Sequence, residues 1–121
     1  MPFEFYEPRQ SRRQTQPFAQ ITRRGRIKLN RAATRQYFPS GEFVRLAYDK
    51  DAQKVGIVPT DDANSPGAFP VRRTSNGGTS IPAKRFFDAY GIAIPGEGLS
   101  GLPVGLEEQD GITFISVRLT G

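Results

Sequence analysis

Nine basic residues crowd the first 35 positions: Arg9, Arg12, Arg13, Arg23, Arg24, Arg26, Lys28, Arg31 and Arg35. Only Glu4 and Glu7 oppose them, so this stretch carries +7 while the rest of the chain carries −2, for a net charge of +5. An arginine guanidinium is a planar fork of donors that fits phosphate oxygens and the edge of a guanine. Basic residues gathered at one end of a chain therefore point to a polyanion, with nucleic acid as the first expectation. The competing reading of the same residues is a solvated basic face that holds no ligand.

Other chemistry is sparse. The chain has no Cys and no His. Disulfides, thiolate metal sites, imidazole ligands and every His-based triad are thereby excluded. Asp61-Asp62 and Glu107-Glu108 are the only adjacent carboxylate pairs. Neighbours on an extended chain point to opposite sides, so neither pair makes a ready acid–base or metal site. Gly77-Gly78-Thr79-Ser80 precedes an expected helix but lacks the Lys of a phosphate-binding loop, so it reads as a plain turn. We expect no enzyme, no cofactor and no metal. No apolar run approaches the ~20 residues that span a bilayer, and Met1 to Phe5 do not resemble a secretory leader. The expected location is cytoplasmic, at the nucleoid, with no membrane partner.

The elements that must position the basic residues follow from pattern. Residues 1–17 show no helical or strand period and are expected to form a flexible basic arm, with Phe3, Phe5 and Tyr6 as scattered aromatics. Phe18 to Thr22 is a short strand and Gly25 a turn. In Arg26-Ile27-Lys28-Leu29 the alternation sends Ile27 and Leu29 inward, and Arg26 and Lys28 outward. Asn30 is a good N-cap for a two-turn helix over Arg31 to Phe38, with Ala33, Tyr37 and Phe38 as its buried stripe. A hairpin from Phe43 to Pro59 closes this first unit, residues 18–59. Residues 60–70, rich in Asp, Asn, Pro and Gly, read as a linker.

The second unit, residues 71–121, repeats the order. Val71 to Arg73 is a strand, Thr74 to Gly78 a turn and Thr79 to Ile81 a strand. Pro82 stands at the first position of a helix running to Tyr90, with Gly91 as its stop. A closing hairpin pairs Leu102–Leu106 with Ile112–Val117 around Asp110-Gly111. Placing Gly25 on Gly77 brings both helix starts into register, as an internal repeat requires.

In the order of these elements the chain resembles the AbrB/SpoVT/MazE swapped-hairpin DNA-binding family in two tandem copies. The carriers are the turn glycine, the Arg after it, the alternating strand and the Ile-Pro at a helix start, matched by Ile21 to Asn30 and by Gly77 to Pro82. Asn30 departs from the usual Pro. The resemblance covers residues 18–59 and, more loosely, 71–117. It implies a mainly β fold with two short helices: an AbrB-like β-barrel in which two ββαββ units interleave as an intrachain pseudo-dimer. It further implies duplex-DNA contacts by basic residues of the first loop, second strand and short helix. These are Arg26 and Arg35 by direct match, with Arg23, Arg24, Lys28 and Arg31 beside them. In the second unit Gly78 falls where Arg26 does and Phe87 where Arg35 does, leaving Arg72, Arg73, Lys84 and Arg85 as substitutes.

Two functions stay open on sequence alone. One is a DNA-binding transcriptional regulator or chromatin-associated protein. The other is a protein-interaction module, antitoxin-like or phage-type, using the same basic face and arm. A homo-oligomer is compatible with either.

Overall fold

Alternating strands and glycine turns generate one antiparallel sheet of nine strands in the computed structural model, which describes residues 16–39, 41–62, 64 and 66–119. The strands are β1 (Phe18–Ile21), β2 (Arg26–Leu29), β3 (Phe43–Asp49), β4 (Lys54–Thr60), β5 (Ala68–Pro70), β6 (Arg72–Arg73), β7 (Thr79–Pro82), β8 (Leu99–Gln109) and β9 (Ile112–Arg118). Among the described residues two short helices, α1 (Arg31–Tyr37) and α2 (Lys84–Ala89), interrupt them. Neither is long and apolar enough to cross a membrane. The arm expected over residues 1–17 lies almost wholly outside the described residues.

The strand order is β5-β3-β4-β9-β8-β1-β2-β7-β6. Its two ends, β5 and β6, are separated in the chain by Val71 alone. The Val71 N–H donates to the Glu42 carbonyl at 2.8 Å, so the sheet comes almost full circle into a barrel-like form. This arrangement leaves few unpaired edges. Residues 60–70, read as a linker, supply the last residue of β4 and all of β5, which pairs with β3 from Phe43–Pro70 to Arg45–Ala68.

Pairing crosses between the two halves of the chain. β1 pairs with β8, β2 with β7, and β4 with β9. Ile27 and Ile81 face each other across β2 and β7, and Ile57 and Ile115 do so across β4 and β9, half-way round the sheet. All four are buried, and with Ile21, Leu29, Val44, Val55, Phe87 and Val117 they form a single core. Each such side chain contributes about 1.5–3 kcal/mol by leaving water. No half-chain holds this core alone.

The two β-turns that open each half are near copies. Gly25 N–H donates to Thr22 O at 2.9 Å, and Thr22 N–H to Arg26 O at 2.9 Å. The Thr22 hydroxyl accepts from Arg26 N–H at 3.2 Å. In the second half Gly77 N–H donates to Thr74 O at 3.1 Å, Thr74 N–H to Gly78 O at 3.0 Å, and Gly78 N–H to the Thr74 hydroxyl at 2.9 Å. Gly25 and Gly77 both sit at positive φ, +83° and +86°, where an L side chain is strained.

Asn30 does more than cap α1. Its Oδ1 accepts from Ala33 N–H at 2.8 Å and from Phe18 N–H at 3.2 Å, while Nδ2 donates to Gln16 O at 2.8 Å. The residue therefore ties the helix start to the entry of β1. Asn30→Ala should cost about 2 kcal/mol, a cap plus an orphaned strand N–H. Asn30→Asp, which keeps both acceptor roles, should cost less than half of that. Urea midpoints of the two variants test the difference.

The helices depart from expectation in detail. α2 has Ala83 at its N-cap position, without a side-chain cap, and begins at Lys84; Pro82 instead ends β7, paired with Arg26. Ala33 and Phe38 of the expected α1 stripe are buried and Tyr37 is half-buried, but Thr34 is buried as well. The Thr34 hydroxyl bonds Thr79 Oγ1 at 2.8 Å, which makes its burial tolerable. Every buried side-chain polar atom among the described residues has a partner.

Candidate nucleic-acid interface

The alternation in β2 does what its pattern requires. Ile27 and Leu29 are buried, Lys28 is exposed, and Arg26 is half-buried against the strand beside it. Cα pairing sets Arg72, Ser80, Lys28 and Gln20 in a row across β6, β7, β2 and β1. Residues directly opposite share a face of the sheet, so Arg72 and Lys28 display their charge together. Arg26 Nη1 donates to the Ser80 hydroxyl at 3.1 Å, which holds that guanidinium low across β7.

The first turn does not stand alone. A Cβ on Gly25 would lie 2.8 Å from Lys84 Cα, so the turn is seated on the first residue of α2. Ala83 N–H donates to Gly25 O at 2.9 Å and fixes the contact. The result is an open groove lined by Arg24, Arg26, Lys84 and Arg85, with Phe69 and Pro82 among its apolar walls. Arg23 is exposed on the same turn. Cations far apart in sequence thus meet where the first turn crosses to the second helix. Lys84 is paired with Asp88 at 3.1 Å, both more than half exposed, a surface contact of small worth.

Arg31 and Arg35 lie elsewhere. Arg31 packs on the second turn, with its Cγ 3.1 Å from where a Gly77 Cβ would stand. Together with Arg35, Ser75, Asn76 and Gly77 it lines a shallow recess. Counted from the helix caps, Asn30 and Ala83, the α2 residue in the place of Arg35 is Asp88, rather than the Phe87 that turn-based alignment gave. The buried pairs Ala33-Thr34 and Phe86-Phe87 agree with this count.

Arg73 is not available to a ligand in the way Arg72 is. Adjacent strand residues face opposite ways, and Arg73 falls on the side of its partner Thr79. Its Nη1 donates to Phe38 O at 2.7 Å and Thr79 Oγ1 at 2.9 Å, and its Nη2 to Gly41 O at 3.0 Å. The guanidinium also lies over the Phe38 ring, 4.4 Å from its centroid. Partial burial lowers its pKa from the ordinary arginine value. Arg73 is a clamp between the second half and the end of α1.

The hairpin tips carry the opposite charge. Asp49, Glu107, Glu108 and Lys54 border one recess there. Lys54 Nζ bonds Glu107 Oε1 at 2.9 Å, and that bond holds the Glu107 carboxyl below its usual range. Among the described residues no group of three or more carboxylates is gathered as a metal site would need.

Sequence reasoning found the exposed cations but missed what places them. Thr22 and Thr74, three residues before each turn glycine, are the signal that was there to see. The pairing of Arg26 with Ser80 had no signal, because it depends on the register of β2 against β7. Comparison with family models, curated proteins and solved structures gives no match to this chain.

Proposed function

We propose that the protein binds duplex DNA through the basic face built on β2, the first turn and the start of α2, acting as a transcriptional regulator or chromatin-associated protein. The observation that carries this reading is the groove in which Arg24, Arg26, Lys84 and Arg85 converge. Four cations around an open groove, Lys84 among them paired with Asp88, and no carboxylate among the described residues of its lining suit a run of backbone phosphates. Arg23, Lys28 and Arg72 extend the same charge across exposed positions, and Arg31 and Arg35 continue it beyond the second turn. Phosphate contact rather than base stacking is favoured because the groove's aromatic wall, Phe69, is half-buried.

The same reading takes the fold as a swapped-hairpin, AbrB-like barrel formed by one chain as a pseudo-dimer. Its support is the paired turns with matching hydrogen bonds and the crossing of strands between halves.

A salt titration of binding to mixed-sequence duplex fragments tests the function. Neutralising about five phosphates should give a slope of log affinity on log salt near −4 to −5. No retention at low salt would overturn the reading and leave the protein-interaction module in its place.

A further inference from the structure

β8 outruns the strand beside it. β1 pairs with β8 as far as Phe18 opposite Pro103, whereas β8 continues to Gln109. From Val104 to Gln109 it is paired with β9 on one side, and among the described residues nothing pairs with it on the other. The hairpin turn fixes which groups face that bare edge. Asp110-Gly111 is a two-residue turn with both residues at positive φ, so Gln109 and Ile112 form a hydrogen-bonded pair. Bonding alternates along an antiparallel ladder, so Gln109, Glu107 and Gly105 bond β9 while Glu108 and Leu106 turn their N–H and C=O to the open side. Leu106 is 53% exposed although its cross-strand partner Ile115 is buried. An uncovered apolar strand edge is a template for pairing.

The chain enters β1 in line with that edge. Asn30 Nδ2 donates to Gln16 O at 2.8 Å, and Asn30 N–H to Phe18 O at 3.0 Å. Carbonyls two residues apart that face the same partner mark an extended backbone, so Gln16 and Pro17 prolong the course of β1 alongside β8. Fifteen residues precede Gln16, among them Arg9, Arg12 and Arg13. The end of the β8–β9 hairpin carries Glu107, Glu108 and Asp110. Glu107 is engaged by Lys54, but Glu108 has no ion-pair partner among the described residues.

We infer that the bare edge of β8 takes residues 12–15 of this same chain as an added antiparallel stretch that prolongs β1. Continuing the Phe18–Pro103 register sets Thr15 opposite Leu106, Gln14 opposite Glu107, Arg13 opposite Glu108 and Arg12 opposite Gln109. Thr15 and Arg13 then exchange main-chain bonds with Leu106 and Glu108, the two residues whose groups face the edge. Residues directly opposite share a face, so Thr15 covers Leu106 and the Arg13 guanidinium meets the Glu108 carboxylate. Pro17, opposite Val104, has no N–H to give, but its carbonyl still accepts. Tethered at Gln16, the segment meets the edge at an effective concentration on the order of millimolar, which a second copy in dilute solution does not match.

Amide hydrogen exchange on the full chain, read residue by residue by NMR, tests the pairing. Leu106 and Glu108 should exchange at least about tenfold more slowly in the unaltered protein than in Thr15→Pro, which removes the strand N–H. Arg13→Glu should speed both by about threefold, and R13E/E108R should restore the protection. Unchanged exchange at Ile57 and Ile115 shows that the barrel is intact, and Arg13→Glu alone decides should Thr15→Pro not fold. Exchange at Leu106 and Glu108 that differs by less than about twofold between the unaltered protein and these variants would overturn the inference. Protection that rises with protein concentration, together with a dimer in light scattering, would overturn it in favour of a second copy on the same edge.

Discussion

Gly25→Ala is expected to cost about 3 kcal/mol or more, two to three times the cost of the same change at Gly111. Both glycines have positive φ, +83° and +78°, so both substitutions carry the left-handed strain of about 1–2 kcal/mol. The space around them differs. Nothing lies within 4 Å of a Cβ at Gly111, whereas one at Gly25 would meet Lys84 Cα at 2.8 Å and Lys84 Cβ at 2.9 Å. Main-chain atoms of a helix start cannot swing aside as a long side chain can. The turn must lift off α2, loosening the Ala83 N–H bond to Gly25 O. Urea denaturation of the two variants gives the stability difference directly. Where Gly25→Ala remains folded, DNA affinity should fall too, because Arg24 and Arg26 move away from Lys84 and Arg85. Equal midpoints for the two variants would refute the packing argument.

Arg73→Ala should be the most damaging loss of a charge, at about 2–4 kcal/mol. Three hydrogen bonds from a charged donor disappear, the Phe38 and Gly41 carbonyls lose a partner, and the cation–π contact goes with them. Arg73→Lys should recover less than half, since an ammonium lacks the fork that reaches two carbonyls and a hydroxyl together. Arg72→Ala, one residue away and outward-facing, should change stability by less than about 0.5 kcal/mol. The salt slope of DNA binding should respond in reverse: unchanged by Arg73→Lys, flattened by about 1 in Arg72→Ala. Thermal melting and the salt titration together separate the two roles.

That pair also marks where sequence reasoning stops. Arg72 and Arg73 are equivalent in composition and in charge count, and only the pairing of β6 with β7 assigns them to opposite faces. Local rules served well where the cause was local. The alternation in β2, the Asn30 cap and the Asp110-Gly111 hairpin turn, with both residues at positive φ, all appear as the residues imply. The start of α2 was misplaced by local reasoning, because Pro82 can end a strand as readily as open a helix. β5 was hidden in a stretch whose Gly and Pro content spoke of a loop, and its strand state comes from pairing with β3. Individual cations of the candidate site were legible, but their grouping was not. It arises from the first turn resting on the second helix, a contact between distant parts of the chain.

The cross-half pairing has a bearing on how the molecule comes into being. β1 is complete only when β8 arrives, and β4 only when β9 does. A ribosome releasing this chain can pair β1 with β2 and β3 with β4 at once, but one edge of β1 and one edge of β4 stay open until β8 and β9 emerge. Closure of such distant contacts is slow compared with helix formation. Until then the early strands are open to capture by one another, or by the same strands of a neighbouring nascent chain. An exchange of closing hairpins between two such chains would yield a dimer that keeps the pairings of β8 and β9 with β1 and β4, and it would be separable from the monomer only by unfolding.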